Sequence, residues 1–224
     1  MDKELTPYIH EWEEAGAYPA EMLTKAYDAG VLAAMWPKEY GGTPPEGCDP
    51  FHDLIMLDEL ARCGGSGVMW GPFFSFSWGL PPILYHGTRE LKDRIARDII
   101  TGRKLIALAV SEPYVGSDVG GMRSTAVRDG DHYVVNGEKK FITSGMQSHF
   151  FTVAVRTGSA ASGNQGISLL VVERGTPGFS IRKMKTQGAW VSGTAYLVFE
   201  DCRVPVSNLI GKENQGFKII MYNF

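Results

Sequence analysis

The stretch AVSEPYVGSDV, residues 109–119, joins an apolar run to small polar residues that could contact a ligand. Ser111, Pro113 and the Gly116-Ser117 pair follow the run, which predicts a strand ending in a proline turn and a glycine loop. Such a strand end offers backbone N–H groups and hydroxyls to a polar, planar molecule. The loop matches neither G-x-G-x-x-G nor Gly-Lys-Ser/Thr, which disfavours a nicotinamide site or a P-loop. A plainer explanation is a turn whose hydroxyls only satisfy loop backbone.

A second stretch with ligand-contacting residue types is KKFITSG, residues 139–145, which the pattern places at a strand end. Phe141 and Thr143 are two residues apart, so in a strand both side chains project from the same face. An aromatic ring beside a hydroxyl that can donate to a ring nitrogen suits a flat heterocycle such as a flavin. A core phenylalanine beside a strand-forming threonine explains the same residues without a ligand.

The other titratable residues form no catalytic or metal-binding pattern. Glu112 and Asp118 stand beside proline and serine, which favours hydrogen bonds within the loop over acid–base chemistry by a carboxylate pair. The five histidines show no metal spacing and no nucleophile partner. Cys48, Cys63 and Cys202 form no C-x-x-C pair, so we expect no structural zinc, no disulfide framework and a reducing compartment.

Composition restricts the class of protein. Of 224 residues, 44% are apolar and 21% are charged, which is ordinary for a globular protein with a sizeable core. The net charge of -3 is spread without a basic cluster, so we expect no nucleic-acid partner. No apolar run reaches the roughly 20 residues of a membrane span, and the acidic N-terminus resembles neither a signal nor a transit peptide. We expect a soluble intracellular protein, with the cytoplasm favoured and an organelle left open.

Residues 1–103 have the pattern of a helical domain. Helix starts are predicted at Thr6, at Asp49-Pro50 and at Thr88. The helix after Asp49 has apolar residues at helical spacing, namely Leu54, Ile55, Leu57 and Leu60. We therefore predict short helices packed as a bundle.

From residue 104 the hydrophobic period changes to two. Eight runs predict strands: KLIALAV, STAVRD, HYVVNG, KKFITS, FFTVAVR, ISLLVVE, FSIRKM and TAYLVFED. The predicted turns are Asp129-Gly130, Asn136-Gly137 and Pro177-Gly178. The fold class is α+β, with a helical bundle over 1–103 followed by a β-sandwich or barrel-like domain over 104–208. Residues 209–224 predict the opening turns of a truncated helical domain.

Six segments of the chain, taken together, resemble the acyl-CoA dehydrogenase family. They occur in the family's order and at comparable spacing, which is a more specific signal than any single glycine loop. The segments are WPKEYGG (36–42), DELARCGGSG (58–67), AVSEPYVGSDV (109–119), NGEKKFITSG (136–145), TPGFSI (176–181) and VFEDCRVPVSNLIGKENQGFK (198–218). The resemblance extends over essentially the whole chain. It implies a helical N-terminal domain and a β middle domain, with only the opening residues of a C-terminal helical domain.

The resemblance implies FAD as the cofactor, and the first stretch as one of its contacts. The strand end of Leu108, Ala109, Val110 and Ser111 would present backbone and hydroxyl donors to the pyrimidine edge of the isoalloxazine ring. Ser111 stands at the family's usual Thr or Ser position. Leu108 departs from the family, which commonly has Tyr there, so this position loses a polar group.

The resemblance assigns further contacts to the second stretch and to the glycine loop. Thr143, which follows Phe141 and Ile142, would donate toward flavin N5, while Phe141 lies against the flavin where the family usually has Trp. Ser117 would lie near the cofactor phosphates and the acyl-CoA substrate. Replacement of Trp by Phe removes an indole donor from the flavin environment.

The implied reaction is α,β-dehydrogenation of an acyl-CoA thioester, with the proton taken by a base and the hydride passing to flavin N5. The family's usual base is a glutamate of the C-terminal domain, so no catalytic residue is identified within these 224 residues. The resemblance also implies an electron acceptor of unidentified class and a homo-oligomer at full length. Two alternatives stay open: a non-catalytic flavin-binding or interaction module, and an oxidase of the same fold.

Overall fold

The computed structural model describes residues 1–222, in which seven α-helices precede the strands and an eighth follows them. The α-helices in this range are α1 (Ile9–Ala15), α2 (Glu21–Asp28), α3 (Pro50–Arg62), α4 (Ser66–Val68), α5 (Ser75–Gly79), α6 (Pro81–His86), α7 (Arg89–Ile100) and α8 (Gly216–Tyr222). The strands in it are β1 (Ile106–Ala109), β2 (Thr125–Asp129), β3 (His132–Ile142), β4 (Phe150–Arg156), β5 (Ile167–Glu173), β6 (Phe179–Lys183), β7 (Ala195–Pro205) and β8 (Leu209–Ile210). None of the helices within residues 1–222 is both long enough and apolar enough to cross a bilayer.

Two predicted helix starts are confirmed by capping hydrogen bonds. At the start of α3 the Asp49 carboxylate accepts a hydrogen bond from the Phe51 N–H at 3.0 Å. At the start of α7 the Thr88 hydroxyl accepts one from the Leu91 N–H at 3.2 Å. Each cap satisfies an N–H group that the first helical turn leaves unpaired, which fixes where the helix begins.

Two expectations for the helical half are wrong. Thr6 is not an N-cap, because it lies inside the short 3-10 helix Thr6–Tyr8, which has Leu5 at its cap position and no side-chain cap. The apolar positions of α3 do not all enter the core: Leu60 is buried, but three others are exposed, namely Leu54, Ile55 and Leu57. Helical spacing identifies an apolar face without saying what covers it.

The strands form one mixed sheet in the order β6-β7-β3-β2-β4-β5-β8, with β1 also paired to β4. Strand β4 is parallel to β1 and antiparallel to β5. Both faces of β4 and β5 are buried, because alternate residues enter two different apolar clusters. One cluster joins these strands to the helices, and the other joins them to β2, β3, β6 and β7. The sheet therefore folds over on itself beside the helical layer, which confirms the predicted α+β class.

The predicted turn at Asn136-Gly137 is wrong, because these residues lie inside the continuous strand β3. A β-bulge of β7 lies opposite: Val135 faces Cys202 and Gly137 faces Phe199, so β7 carries one extra residue between these pairs. An Asn-Gly pair often forms a tight hairpin turn, but it also suits the irregular backbone of a bulge. The runs HYVVNG and KKFITS are thus one strand, and the short β8 is a strand that the pattern did not predict.

The predicted start of a final helix is confirmed by α8 as far as Tyr222, and the last two residues of the predicted 209–224 segment lie outside the described residues. The segment before α8 is fixed to the sheet. The buried Tyr133 hydroxyl donates to the Glu213 carboxylate, and the Asn214 N–H donates to the Ser168 hydroxyl at 2.8 Å. These bonds set the direction in which the chain leaves the sheet.

Candidate functional site

The two stretches with ligand-contacting residue types are neighbours in the fold. Strand β1 ends at Ala109, and the next two residues run beside the end of β3. The Lys140 N–H donates to the Ser111 carbonyl at 2.9 Å, and the Lys139 ammonium donates to the Val110 carbonyl at 3.0 Å. The strand end after β1 and the strand end of β3 therefore form one continuous surface.

Phe141 reaches this surface because β3 itself contains a bulge near its end. Lys139 lies opposite Leu197 while Ile142 lies opposite Ala195, so β3 carries one extra residue between these pairs. Phe141 has a left-handed φ of 62° and its side chain is 58% exposed. Bulges commonly re-aim a side chain beside a functional site.

The prediction that Phe141 and Thr143 share a strand face rested on a wrong assumption. Regular alternation fails at the bulge, and Thr143 follows the last residue of the strand. Both side chains are nevertheless more exposed than Ile142, which is buried between them. The Phe141 ring and the Thr143 hydroxyl are thus accessible on either side of the buried Ile142 side chain.

The surface carries hydrogen-bond donors without protein partners. Within residues 1–222, no hydrogen bond uses the hydroxyl of Ser111 or of Thr143. The backbone N–H groups of Val110, Ser111 and Thr143 also donate no hydrogen bond in this part of the chain. Polar groups of a folded protein normally have hydrogen-bond partners. Because these donors have none within the described residues, they are available to an acceptor-rich ligand.

The remaining predicted residues of this surface contribute in different ways. The Ala109 and Ile142 side chains are buried in the core, so only their backbone atoms could contact a ligand. Leu108 is half-buried in the strand beside them. These positions form the rigid part of the surface.

Ser117 lies in an exposed loop that follows the first strand end. Within residues 1–222, no hydrogen bond joins it to Ser111 or to Thr143. The loop is anchored further along by buried Arg156, whose guanidinium donates to the carbonyls of Gly120 at 2.6 Å and Met122 at 3.0 Å. The structure therefore joins Ser111 to the β3 end by a hydrogen bond, whereas Ser117 has no such bond to either strand end in the described part of the chain.

A buried ion pair lies directly beneath the donor surface. The Lys139 ammonium is 2.9 Å from the Glu112 carboxylate, and the two side chains are 0% and 4% exposed. The other bonds of Glu112 come from the N–H groups of Arg123 at 2.8 Å and Ser124 at 2.9 Å. The predicted loop-bonding role of Glu112 is confirmed, and its carboxylate is fully committed.

Lys139 is a functional candidate that sequence reasoning missed. A signal was present: once Asn136-Gly137 is taken as strand, Lys139 has the same parity as Tyr133 and Val135, whose side chains are buried. A lysine at an inward strand position requires a partner. The expectation of a turn at Asn136-Gly137 concealed that parity.

Burial and pairing have opposite effects on the pKa of each group, and the net result lowers both pKa values. Burial lowers the pKa of Lys139 to about 8, against the opposing effect of the Glu112 charge and hydrogen bond. For Glu112, burial by itself raises the pKa, but the Lys139 charge and the hydrogen bonds that it receives outweigh burial and hold the pKa below 4.5. Near neutral pH the pair is therefore ionic.

Groups of three or more histidine, cysteine, aspartate or glutamate residues that could hold a metal are absent from residues 1–222. The cluster instead consists of hydrogen-bond donors, an exposed aromatic ring and a buried charge pair. This combination suits a planar molecule rich in acceptors.

Comparison with known proteins identifies relatives over the whole chain. Residues 1–103 match the acyl-CoA dehydrogenase N-terminal domain, and residues 107–202 match the acyl-CoA dehydrogenase middle domain. The chain is 39% identical to the acyl-CoA dehydrogenase apdG of Emericella nidulans, over 98% of this chain and 53% of that protein. It thus spans about half the length of the curated relatives it matches.

Solved structures show the same arrangement. An acyl-CoA dehydrogenase from Geobacillus kaustophilus matches with a TM-score of 0.91 and 36% identity, over 99% of this chain and 58% of the other. An acyl-CoA dehydrogenase complexed with FAD from Bacillus anthracis matches with a TM-score of 0.85 and 30% identity, over 99% of this chain and 38% of the other. Since the two matched domains together cover most of its residues, the chain belongs to the acyl-CoA dehydrogenase family, a family of flavin-dependent enzymes.

Proposed function

We propose that this chain provides the flavin-contacting surface of an FAD-dependent acyl-CoA dehydrogenase, an oxidoreductase acting on acyl-CoA thioesters. The observation that carries the proposal is the set of unpaired donors at Val110, Ser111 and Thr143, on two adjacent strand ends. A flavin ring presents carbonyl oxygens and ring nitrogens, which are the acceptors that such donors require. Membership of a flavin-dependent family and the FAD complex of a relative support the same cofactor.

Each residue of the surface has a proposed contact. The N–H groups and hydroxyl at Val110 and Ser111 would hold the pyrimidine edge of the flavin, and the Thr143 hydroxyl would donate toward N5. The exposed Phe141 ring would lie against the flavin, where its apolar face excludes water. Ser117, in its separate exposed loop, would contact the cofactor phosphates and the acyl-CoA.

FAD held by these residues would supply the acceptor for a hydride from the β-carbon of the thioester, and a base would be required for the α-proton. The residues described here would orient the ring and fix the position of the reacting edge. None of them is assigned as the base. We also propose a division into a helical domain over 1–103, a β domain over 104–208 and a further helical domain starting at 209.

The activity of the whole protein is part of the same proposal. The substrate would be an acyl-CoA, the electrons would pass to an acceptor of unidentified class, and the full-length protein would form a homo-oligomer. A second candidate is a flavin-binding module without catalytic activity. The observation in its favour is that the ligand-facing groups of the surface are hydrogen-bond donors, which can hold a flavin without removing a proton.

An FAD titration of the 224-residue chain, followed by flavin fluorescence and repeated with a short acyl-CoA thioester, tests the proposal. We expect saturable FAD binding, and a change in the absorption spectrum of the bound flavin when the thioester is added. FAD binding with no response to the thioester would favour the non-catalytic module. Absence of FAD binding would overturn the proposed function for this chain.

A further inference from the structure

The peptide group between Val110 and Ser111 is held by strand β3. Its carbonyl, on Val110, accepts a hydrogen bond from the Lys139 ammonium at 3.0 Å. The next carbonyl, on Ser111, accepts one from the Lys140 N–H at 2.9 Å. The N–H of the first peptide group, on Ser111, donates no hydrogen bond within residues 1–222. One end of this peptide group therefore contacts a fixed positive charge, and the other end is free to contact a ligand.

A charged donor at a carbonyl oxygen strengthens the N–H at the opposite end of the same peptide group. Hydrogen bonds in series polarise one another, and bonds that involve an ion are the stronger ones. Lys139 has no solvent exposure, so water does not screen its contact with the Val110 carbonyl. The Ser111 N–H is thus a stronger donor than an ordinary amide.

Glu112 keeps the Lys139 ammonium at this carbonyl. Its carboxylate lies 2.9 Å from the ammonium and is itself held by the N–H groups of Arg123 and Ser124. Residues 110–112 thus provide both partners of the ammonium, and residues 123–124 in turn hold the Glu112 carboxylate.

Stability by itself does not explain such a pair. A buried ion pair can often be replaced by neutral residues of similar shape with little loss of stability, because desolvation offsets the attraction between the charges. The position of the pair, under an unpaired donor of the proposed cofactor surface, points to a role toward the ligand.

We propose that Lys139 is a positioning residue for the flavin, which polarises the Val110–Ser111 peptide group so that the Ser111 N–H binds the pyrimidine edge, with Glu112 holding the ammonium in place. This inference rests on the proposed function. Lys139 contacts the flavin only through this peptide group and is not itself a catalytic residue.

The test compares FAD binding by three variants with that of the unchanged chain. Lys139→Met removes the charge and keeps most of the side-chain volume. It leaves Glu112 buried without its partner and can therefore impair folding. The double variant Lys139→Met with Glu112→Gln is neutral at both positions, which keeps the test decisive. The matched control is Lys104→Met, which removes a lysine–carboxylate contact of the same 2.9 Å length, with Asp98. Lys104 lies just before the first residue of β1, at the end of the strand that is far from Ser111.

We expect the folded variants that lack Lys139 to bind FAD roughly tenfold more weakly, as for the loss of one charge-assisted contact. The reduction potential of the bound flavin should become more negative, because the polarised donor favours the electron-rich reduced ring. Lys104→Met should change neither quantity. If the double variant folds and retains both the affinity and the potential, the inference is overturned while the proposed function stands.

The Ser111 amide signal in the NMR spectrum of the flavin-free chain gives an independent readout. Loss of polarisation should move its proton resonance upfield in the variants that lack Lys139, with no movement in Lys104→Met. An unmoved signal would overturn the inference even if FAD binds. If the unchanged chain binds no FAD, the proposed function fails, and the role of Lys139 toward flavin fails with it, whatever the amide signal shows.

Discussion

Thr143 offers the most specific prediction at the scale of single residues. Its hydroxyl has no hydrogen-bond partner within residues 1–222, so Thr143→Val removes a proposed flavin donor while keeping the shape of the side chain. We expect FAD to bind roughly fivefold to tenfold more weakly, as for one lost hydrogen bond. Flavin fluorescence titration measures the change, and thermal unfolding should show little loss of stability.

The control for this substitution is Thr125→Val in β2. The Thr125 hydroxyl also has no hydrogen-bond partner within residues 1–222, but it lies outside the proposed surface. This variant should bind FAD as the unchanged chain does. Equal FAD affinities and flavin potentials in Thr143→Val and in the unchanged chain would refute the assignment of Thr143.

Glu112 gives a prediction for pH. Its pKa in the folded chain lies below the ordinary 4.5, so on acidification the unfolded chain takes up this proton before the folded chain does. The free energy of unfolding should therefore fall as the pH drops through 4.5 toward the pKa of the folded state. Urea unfolding at several pH values between about 6 and 3 measures this slope.

In Glu112→Gln the part of that slope due to Glu112 should be missing. The control is Glu59→Gln, which changes an exposed acid of α3 and should keep the original slope. A slope that is identical in Glu112→Gln and in the unchanged chain would show that the carboxylate is not held as described.

The sequence predicted Ser111 and Thr143 as donors, because a hydroxyl at a strand end can be identified from residue type and position. It did not predict the buried ion pair that holds the backbone beside Ser111. The contact of Lys139 with Glu112 joins residues 27 apart in the chain, and it depends on which strands are neighbours. A hydrophobic pattern carries no information on that pairing.

At the scale of elements, Gly137, which lies opposite the bulge of β7, connects the sheet to the ion pair. Gly137 has a φ of 140°, and a Cβ atom there would lie 2.5 Å from the Ser124 hydroxyl oxygen. Ser124 in turn donates its N–H to Glu112. The absence of a side chain at Gly137 thus allows the close approach that seats the Glu112 carboxylate.

Gly137→Ala should therefore lower the free energy of unfolding by about 2 to 3 kcal/mol, through steric overlap and an unfavourable φ. Urea unfolding measures this loss. Gly130→Ala is the control for φ alone, since Gly130 has a φ of 61° with no atom within 4 Å of the added Cβ. A loss no greater than that of Gly130→Ala would contradict the close contact with Ser124.

The bulge of β7 opposite Gly137 and the bulge of β3 beside Phe141 also explain where prediction of the elements failed. The eight predicted runs correspond to seven strands, β1 through β7, because HYVVNG and KKFITS are both parts of β3. The period of two identifies strands well because it follows from pleating. Bulges depend on the opposing strand, so neither the continuity of β3 nor the exposure of Phe141 could be derived from β3 itself.

At the scale of the whole molecule, α3 presents an apolar surface. Leu54 and Ile55 are 58% and 63% exposed, and Phe51 on the same helix is also exposed. Exposed apolar patches favour association. We expect the chain to self-associate with rising concentration, and the double variant Leu54→Lys with Ile55→Lys to reduce this association, as measured by analytical ultracentrifugation.

Glu59→Lys is the matched control, because it raises the net charge of the same helix by the same amount without altering the apolar residues. It should leave self-association nearly unchanged. Equal association of the double lysine variant and the unchanged chain would show that α3 is not the surface involved.

The class of the fold could be predicted because helical and strand periods occupy separate stretches of the chain. The exposure of α3 could not be predicted, since its apolar spacing resembles that of the buried α7, where Leu91, Ile95 and Ile99 enter the core. Which apolar helix is covered depends on the arrangement of the other elements.

The visible absorption spectrum of the purified chain, recorded after incubation with FAD and gel filtration, tests the central claim most directly. If the strand ends at Ser111 and Thr143 form a flavin surface, the eluted protein should retain a flavin spectrum, with less flavin retained by Thr143→Val than by Thr125→Val. A colourless eluted protein would contradict the claim that these residues by themselves hold the cofactor.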